Sequence, residues 1–264
     1  MGKVIAIVNQ KGGVAKTTTT VNLSTYLAKA GKKVLMIDID PQGNATSGVG
    51  IDRKAIQYCV YDVLINGASA QSVIVHTPYE NLDILPATIQ LAGAEVELVP
   101  AISRENKLKR ALKPVREQYD YIFIDCPPSL GLLTLNALSA ADSLIVPLQC
   151  EYYALEGVGQ LMNTYELVKA HLNPGLSVEG VLLTMYDPRT NLSQQVADEA
   201  RRYFGKRVYQ AIIPRSVRLS EAPSHGMPIV YYDPKSKGAE MYELLAEEFA
   251  RLNGDPIERK EQTL

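Results

Sequence analysis

The chain has 264 residues, is 46% hydrophobic, and sets 27 Lys and Arg against 29 Asp and Glu for a formal net charge of −2. That size suffices for one substantial core. The slightly acidic total excludes a general cationic coat for nucleic acid, so any grip on DNA has to come from a local patch. No apolar stretch approaches the ~18–20 residues of a membrane span.

The first strand-like run covers residues 4–8, too short for a helix and closed by Asn9-Gln10-Lys11-Gly12-Gly13. It begins almost at Met1, without the charged-then-apolar layout of a secretory leader. Residues 17–30 read as a helix with Val21, Leu23, Leu27 and Ala28 on its buried face, and Gly31 stands where a C-cap glycine belongs. Residues 33–37 form a second strand, closing on Asp38-Ile39-Asp40-Pro41. Further strand-like runs recur at 82–85, 121–124, 144–146 and 178–183, with helical stretches between most of them.

Continuous apolar strands alternating with helices predict one α/β domain, a mostly parallel twisted sheet with helices on both faces. It is expected to span residues 1–253, with a polar, frayed tail over 254–264. The last helix, 239–252, is amphipathic through Met241, Leu244, Leu245, Phe249 and Leu252. Its other side carries Glu240, Glu243, Glu247 and Glu248, which suits closing a core and not lying on a membrane, where Lys and Arg are favoured. Cys59, Cys126 and Cys150 are widely spaced and form no C-x-x-C pair, so reduced thiols and a cytoplasmic location are expected. His76, His171 and His225 have no metal-ligand spacing.

Lys11-Gly12-Gly13-Val14-Ala15-Lys16-Thr17-Thr18 lies between the first strand and the first helix, the context a phosphate loop requires. Glycines let backbone amides turn inward, the helix N-terminus adds positive potential, and Lys16 reaches the β/γ-phosphates of a nucleotide. Thr17 supplies a hydroxyl for Mg²⁺. Two positions depart from G-x-x-x-x-G-K-[ST]: Gln10 replaces the first glycine, and Ala15 the glycine before the lysine. If residue 15 has a positive φ, an alanine there costs on the order of 1–2 kcal/mol. That corresponds to roughly a five- to thirty-fold loss of ATP affinity.

Acidic partners follow the strands. Asp38 serves either the site or its turn. The run 122–125 ends on Asp125, which reads as a Mg²⁺-holding acid acting through water, and Pro127-Pro128 stiffens the segment beyond it. Cys126 reads as a small buried residue.

Lys-Gly-Gly-x-x-Lys-Thr over residues 11–17 resembles the deviant Walker A motif of the ParA/MinD ATPases. Residues 38–50, 85–88, 125–131, 149–157 and 213–226 look like chromosomal ParA proteins of the Soj type, so the resemblance covers nearly the whole chain. It implies that Lys11 reaches across a homodimer interface to the partner's ATP. It also implies that Asp40 orients or activates the attacking water, that Pro214 lies beside the adenine, and that Ser216 contacts it through its backbone. An ATP-bound dimer would bind DNA without sequence preference on the nucleoid, and a ParB-type centromere-binding partner would stimulate hydrolysis and release.

The charge pattern bears on DNA independently. Residues 200–220 hold Arg201, Arg202, Lys206, Arg207, Arg215 and Arg218 and no acid. With the flanking cations, the candidate phosphate contacts are Arg189, Arg215, Arg218, Lys235 and Lys237. Tyr203, Phe204 and Tyr209 form no spaced stacking platform, which favours duplex over single strands. Two other readings share the phosphate loop: a MinD-like ATPase cycling on membranes, and a nucleotide-sensing DNA-binding module with little turnover because of Ala15.

Overall fold

The computed structural model describes residues 2–151 and 154–257, and the side chains of 154–156 lie outside the described set. Five strands follow the apolar runs closely: β1 Lys3–Ile7, β2 Val34–Asp38, β4 Leu82–Leu85, β5 Tyr121–Asp125 and β7 Ser177–Thr184. A sixth, β6 Ser143–Gln149, is longer than its apolar run, because Pro147 sits inside it without ending it. A two-residue strand, β3 Val75–His76, pairs antiparallel with β4 and closes one edge. It is too short to leave a periodic signal.

Among the described residues, seven strands join one sheet in the order β3-β4-β2-β5-β1-β6-β7, parallel apart from β3. Side chains alternate across it. Val4 and Ala6 of β1 point into one core cluster, and Ile5 and Ile7 into the other. The first cluster is covered by α3 (Lys107–Leu112), α4 (Leu132–Ala140), α5 (Ala154–His171) and α6 (Asn191–Phe204). The second is covered by α1 (Lys16–Lys29) and α8 (Lys237–Leu252). Two short helices, α2 (Asn44–Gly48) and α7 (Val217–Glu221), lie on the cavity described below.

Helix α1 begins at Lys16 and ends as expected, with Gly31 in the left-handed region at φ 93°. Helix α8 does close the core, but its inward stripe is Ala239, Tyr242, Leu245, Ala246 and Phe249; Leu252 is exposed. Tyr242 is fully buried and is satisfied by Thr19, whose hydroxyl lies 3.1 Å from its own.

The expected fraying after Asn253 is not what the first tail residues do. Asp255 accepts a hydrogen bond from the Tyr121 hydroxyl at 3.1 Å, pairs with Lys32, and donates its amide to Ala250 O at 3.0 Å. Ile257 packs on the second cluster. The domain therefore runs through at least residue 257. The rest of the expected tail, residues 258–264, lies outside the described residues.

Candidate nucleotide site

The carboxyl ends of β1, β2 and β5 meet in the middle of the sheet, where ligands bind in open α/β folds. Asn9 shapes the turn that leaves β1: its side-chain amide donates to Pro147 O at 2.7 Å, and its Oδ1 accepts from the Lys11 amide at 3.0 Å. The turn ends at Ala15, which occupies the left-handed region at φ 67°, ψ 31° and heads α1. A side chain there carries the Cβ penalty that glycine avoids. The turn is held from β7 by Thr184, whose hydroxyl donates to Val14 O at 3.1 Å.

Lys16 is buried and donates its ammonium to Lys11 O at 3.0 Å. Burial holds its pKa below the usual lysine value, against an opposing pull from Asp125. Thr17 donates to Asp125 Oδ2 at 2.7 Å, and Thr20, one turn on, donates to Asp125 Oδ1 at 3.0 Å. Burial, followed by the neighbouring Asp38 carboxylate, pushes Asp125 up to about 8. Asp38 stands opposite Asp125 in the sheet register and is also fully buried, with its pKa raised to about 6 by that burial.

Asp38 serves the turn. Its Oδ2 accepts from both the amide and the hydroxyl of Thr46 at 2.8 Å, and its Oδ1 from the Asp40 amide at 3.1 Å. Thr46 in turn accepts from the Ala87 amide at 3.0 Å, tying the turn to the end of β4. Asp40 is buried and accepts from the Gln42 amide at 2.9 Å. Cys126 is buried, and burial lifts its thiol well above the ordinary value, which makes it an inert core residue.

Beside these groups a cavity of about 500 Å³ opens between the start of α1, α2 and the segment around α7. Ala15, Thr17, Thr18, Asn44, Pro214 and Ser216 are among its lining residues. Pro214 is positioned by a short parallel bridge to Tyr186, in which Tyr186 donates its amide to Ile213 O at 3.1 Å and Arg215 its amide to Tyr186 O at 3.2 Å. Ser216 caps α7 by accepting the Leu219 amide. The site thus gathers Lys16, Thr17, Asp40, Asp125, Pro214 and Ser216 from four separate stretches of chain.

Lys11 behaves differently. Its ammonium lies 3.5 Å from Glu151, which also takes Arg215 at 3.1 Å.

The cationic candidates are all exposed, yet four of the five carry acidic partners. Arg189 forms a two-pronged pair with Asp187, at 2.9 and 2.7 Å. Arg215 pairs with Glu151, Arg218 with Glu221 and Asp233, and Lys237 with Glu240. The acid-free window in the sequence is therefore not an acid-free surface. Such exposed pairs are weak and leave the cations available.

The residues suit a magnesium nucleotide. A hydroxyl and a carboxylate form a hard-oxygen pair at Thr17 and Asp125, and the buried ammonium of Lys16 donates to a neutral carbonyl. The family model described as an AAA domain, AAA_31, matches residues 2–178. The sporulation initiation inhibitor protein Soj of Bacillus subtilis is 64% identical over 250 residues, covering 95% of this chain and 99% of that one. The chromosome partitioning protein ParA of Myxococcus xanthus is 55% identical over 251 residues, covering 95% and 89%. The chain belongs to the Soj/ParA family of P-loop ATPases.

Solved structures agree on the fold. Cobyrinic acid a,c-diamide synthase from Mycobacterium smegmatis, with bound ADP and magnesium, is 39% identical with a TM-score of 0.85, covering 98% of this chain and 100% of that one. The cell division ATPase MinD of Pyrococcus furiosus is 29% identical with a TM-score of 0.78, covering 96% and 100%. Among the described residues, no helix is long and apolar enough to cross a membrane.

Four residues contribute without belonging to any motif of the sequence: Thr20, Thr46, Thr184 and Glu151. Thr20 was available from helical spacing, three residues after Thr17. Thr46, Thr184 and Glu151 had no local signal, because their partners lie at least eight residues away.

Proposed function

We propose that the chain uses ATP to control its own dimerisation and, through it, a sequence-independent grip on duplex DNA, in chromosome or plasmid partitioning with a ParB-type partner on the nucleoid. The observation that carries the nucleotide half is the convergence of buried Lys16, Thr17 and Asp125 beside the cavity lined by Pro214 and Ser216. The phosphate loop, Lys11 to Thr18, wraps the phosphates, with Lys16 as their main cation. Thr17 and Asp125 hold Mg²⁺, which when bound offsets the phosphate charge. Pro214 and Ser216 border the base. Asp40, whose carboxylate accepts the Gln42 amide, orients the attacking water.

Lys11 serves the partner subunit's nucleotide, leaving Glu151 when the two chains meet. Arg189, Arg215, Arg218, Lys235 and Lys237 contact DNA phosphates, exchanging weak surface carboxylates for a denser line of charge. The membrane-cycling alternative finds less support, since α8 buries its apolar stripe and carries acids outside. The deciding experiment is DNA binding compared across nucleotide states, where the proposal requires ATP for binding.

A further inference from the structure

Residues 126–131 leave Asp125 and lead into α4. The near part of this loop lies beside the phosphate loop, for a Cβ built on Gly12 would lie 3.8 Å from Cβ of Pro128. Its far end is the first turn of α4, and that end is gripped by a side chain from elsewhere. Glu95, in the segment after β4, accepts from the Leu132 amide at 3.1 Å and the Leu133 amide at 3.4 Å. Those amides have no partner within the helix, and a carboxylate also suits the positive end of the helix dipole.

Gly131 makes room for this grip. A Cβ there would meet the two Glu95 oxygens at 2.5 and 2.7 Å. Its φ of −77° and ψ of −168° are extended values open to any residue, so what a side chain at this position would disturb is the carboxylate, which would have to shift. From within the unit, Thr134 donates its hydroxyl to Ser129 O at 2.7 Å, fixing the same loop to α4.

We infer that Glu95 is a positioning residue for ATP hydrolysis. It anchors the far end of the loop that begins at Asp125, so that Asp125 and Pro128 keep their register against the phosphate loop during the reaction. Glu95 is not among the residues lining the nucleotide cavity and acts through the loop. The inference rests on the reading that Asp125 serves hydrolysis.

The test compares the full chain with Glu95→Gln, Glu95→Ala, Gly131→Ala and the Glu95→Ala/Gly131→Ala double variant. Turnover and KM are measured for each, with affinity for a fluorescent ATP analogue and a melting curve to establish folding. Glu95→Ala should lower kcat about tenfold, the kind of loss a displaced reacting group imposes. Its nucleotide affinity should stay within about twofold, because the lost contact is not made to the ground state. Glu95→Gln, which keeps a neutral acceptor, should fall in between.

Gly131→Ala should resemble Glu95→Ala, since its methyl displaces the carboxylate. In the double variant the two losses should not add, because the methyl has nothing left to displace. Undiminished kcat in a folded Glu95→Ala chain, or additive losses in the double variant, overturns the positioning role. Wild-type turnover is the control that separates this outcome from a failure of the hydrolysis reading itself, which would remove the basis of both.

Discussion

The Lys11 ammonium lies 3.5 Å from Glu151 of its own chain, while the Lys11 carbonyl accepts from the Lys16 ammonium. The two lysines of one loop thus have separate surroundings, one half-buried on a carboxylate and one buried. Lys16→Ala should abolish ATP binding, and with it dimerisation and DNA binding. Lys11→Ala should retain nucleotide while losing most dimer and turnover. Titration of ATP with light scattering on both variants checks this. A Lys11→Ala chain that dimerises with ATP and turns over normally contradicts the cross-subunit role.

Ala15 supplies a second prediction. Its φ of 67° places a Cβ where glycine is favoured. Ala15→Gly should stabilise the folded chain by about 1 kcal/mol. It should also tighten ATP binding by roughly fivefold or more where the methyl crowds the phosphates, with a larger dimer fraction. Calorimetry on both versions decides the point. Equal melting temperatures and equal affinities would make the alanine neutral.

Much of this arrangement was legible in the sequence because it is local. The phosphate loop, the acids that close β2 and β5, and the strands themselves each occupy a few consecutive residues with a strong pattern. What stayed hidden depends on non-local partners. The acid-free window around Arg215 and Arg218 looked like a bare cationic patch, yet folding brings Glu151 and Asp233 onto it from 64 and 15 residues away. The tail after Asn253 looked polar and loose, and Asp255 became fixed only because Tyr121 and Lys32 wait there. Tyr242 joins the core stripe because its hydroxyl finds Thr19, while Met241 and Leu244 pack against the same cluster half-buried.

The buried acids set a pH dependence. Burial and Asp38 hold Asp125 at about 8, and burial holds Asp38 at about 6, against about 3.9 for an unfolded aspartate. Both folded pKa values are raised, so their contribution to stability is fully present below about pH 4 and is lost as pH rises from there to about 6 for Asp38 and to about 8 for Asp125. Without nucleotide, the chain should melt lower at about pH 8.5 than at about pH 6. Asp125→Asn should flatten the upper part of that profile, and Mg²⁺ with ADP should reduce the difference by favouring the ionised acid. A melting temperature that rises over the same interval would contradict these assignments.

The DNA surface is tested by charge reversal. Arg218→Glu should weaken duplex binding at least about tenfold and lower the salt slope by about 1 or more. ATP binding should remain intact, because the Arg218 guanidinium faces Glu221 and Asp233. Arg189→Glu should act in the same direction. Wild-type binding should weaken steeply with salt and ignore DNA sequence. Binding insensitive to salt, or strongly selective for one sequence, would place the contact elsewhere.

The most direct test of the switch is duplex DNA binding by wild type and Asp40→Ala without nucleotide, with ADP, with ATP, and with a slowly hydrolysed ATP analogue. The Asp40 carboxylate accepts the Gln42 amide, so its loss should spare ground-state binding and slow turnover. Wild type should bind cooperatively with ATP or the analogue and weakly otherwise. Asp40→Ala should bind with ATP as tightly as wild type and release more slowly. DNA binding that is equal in all four nucleotide conditions, or loss of ATP affinity in Asp40→Ala as severe as in Lys16→Ala, would contradict an ATP-controlled grip on DNA.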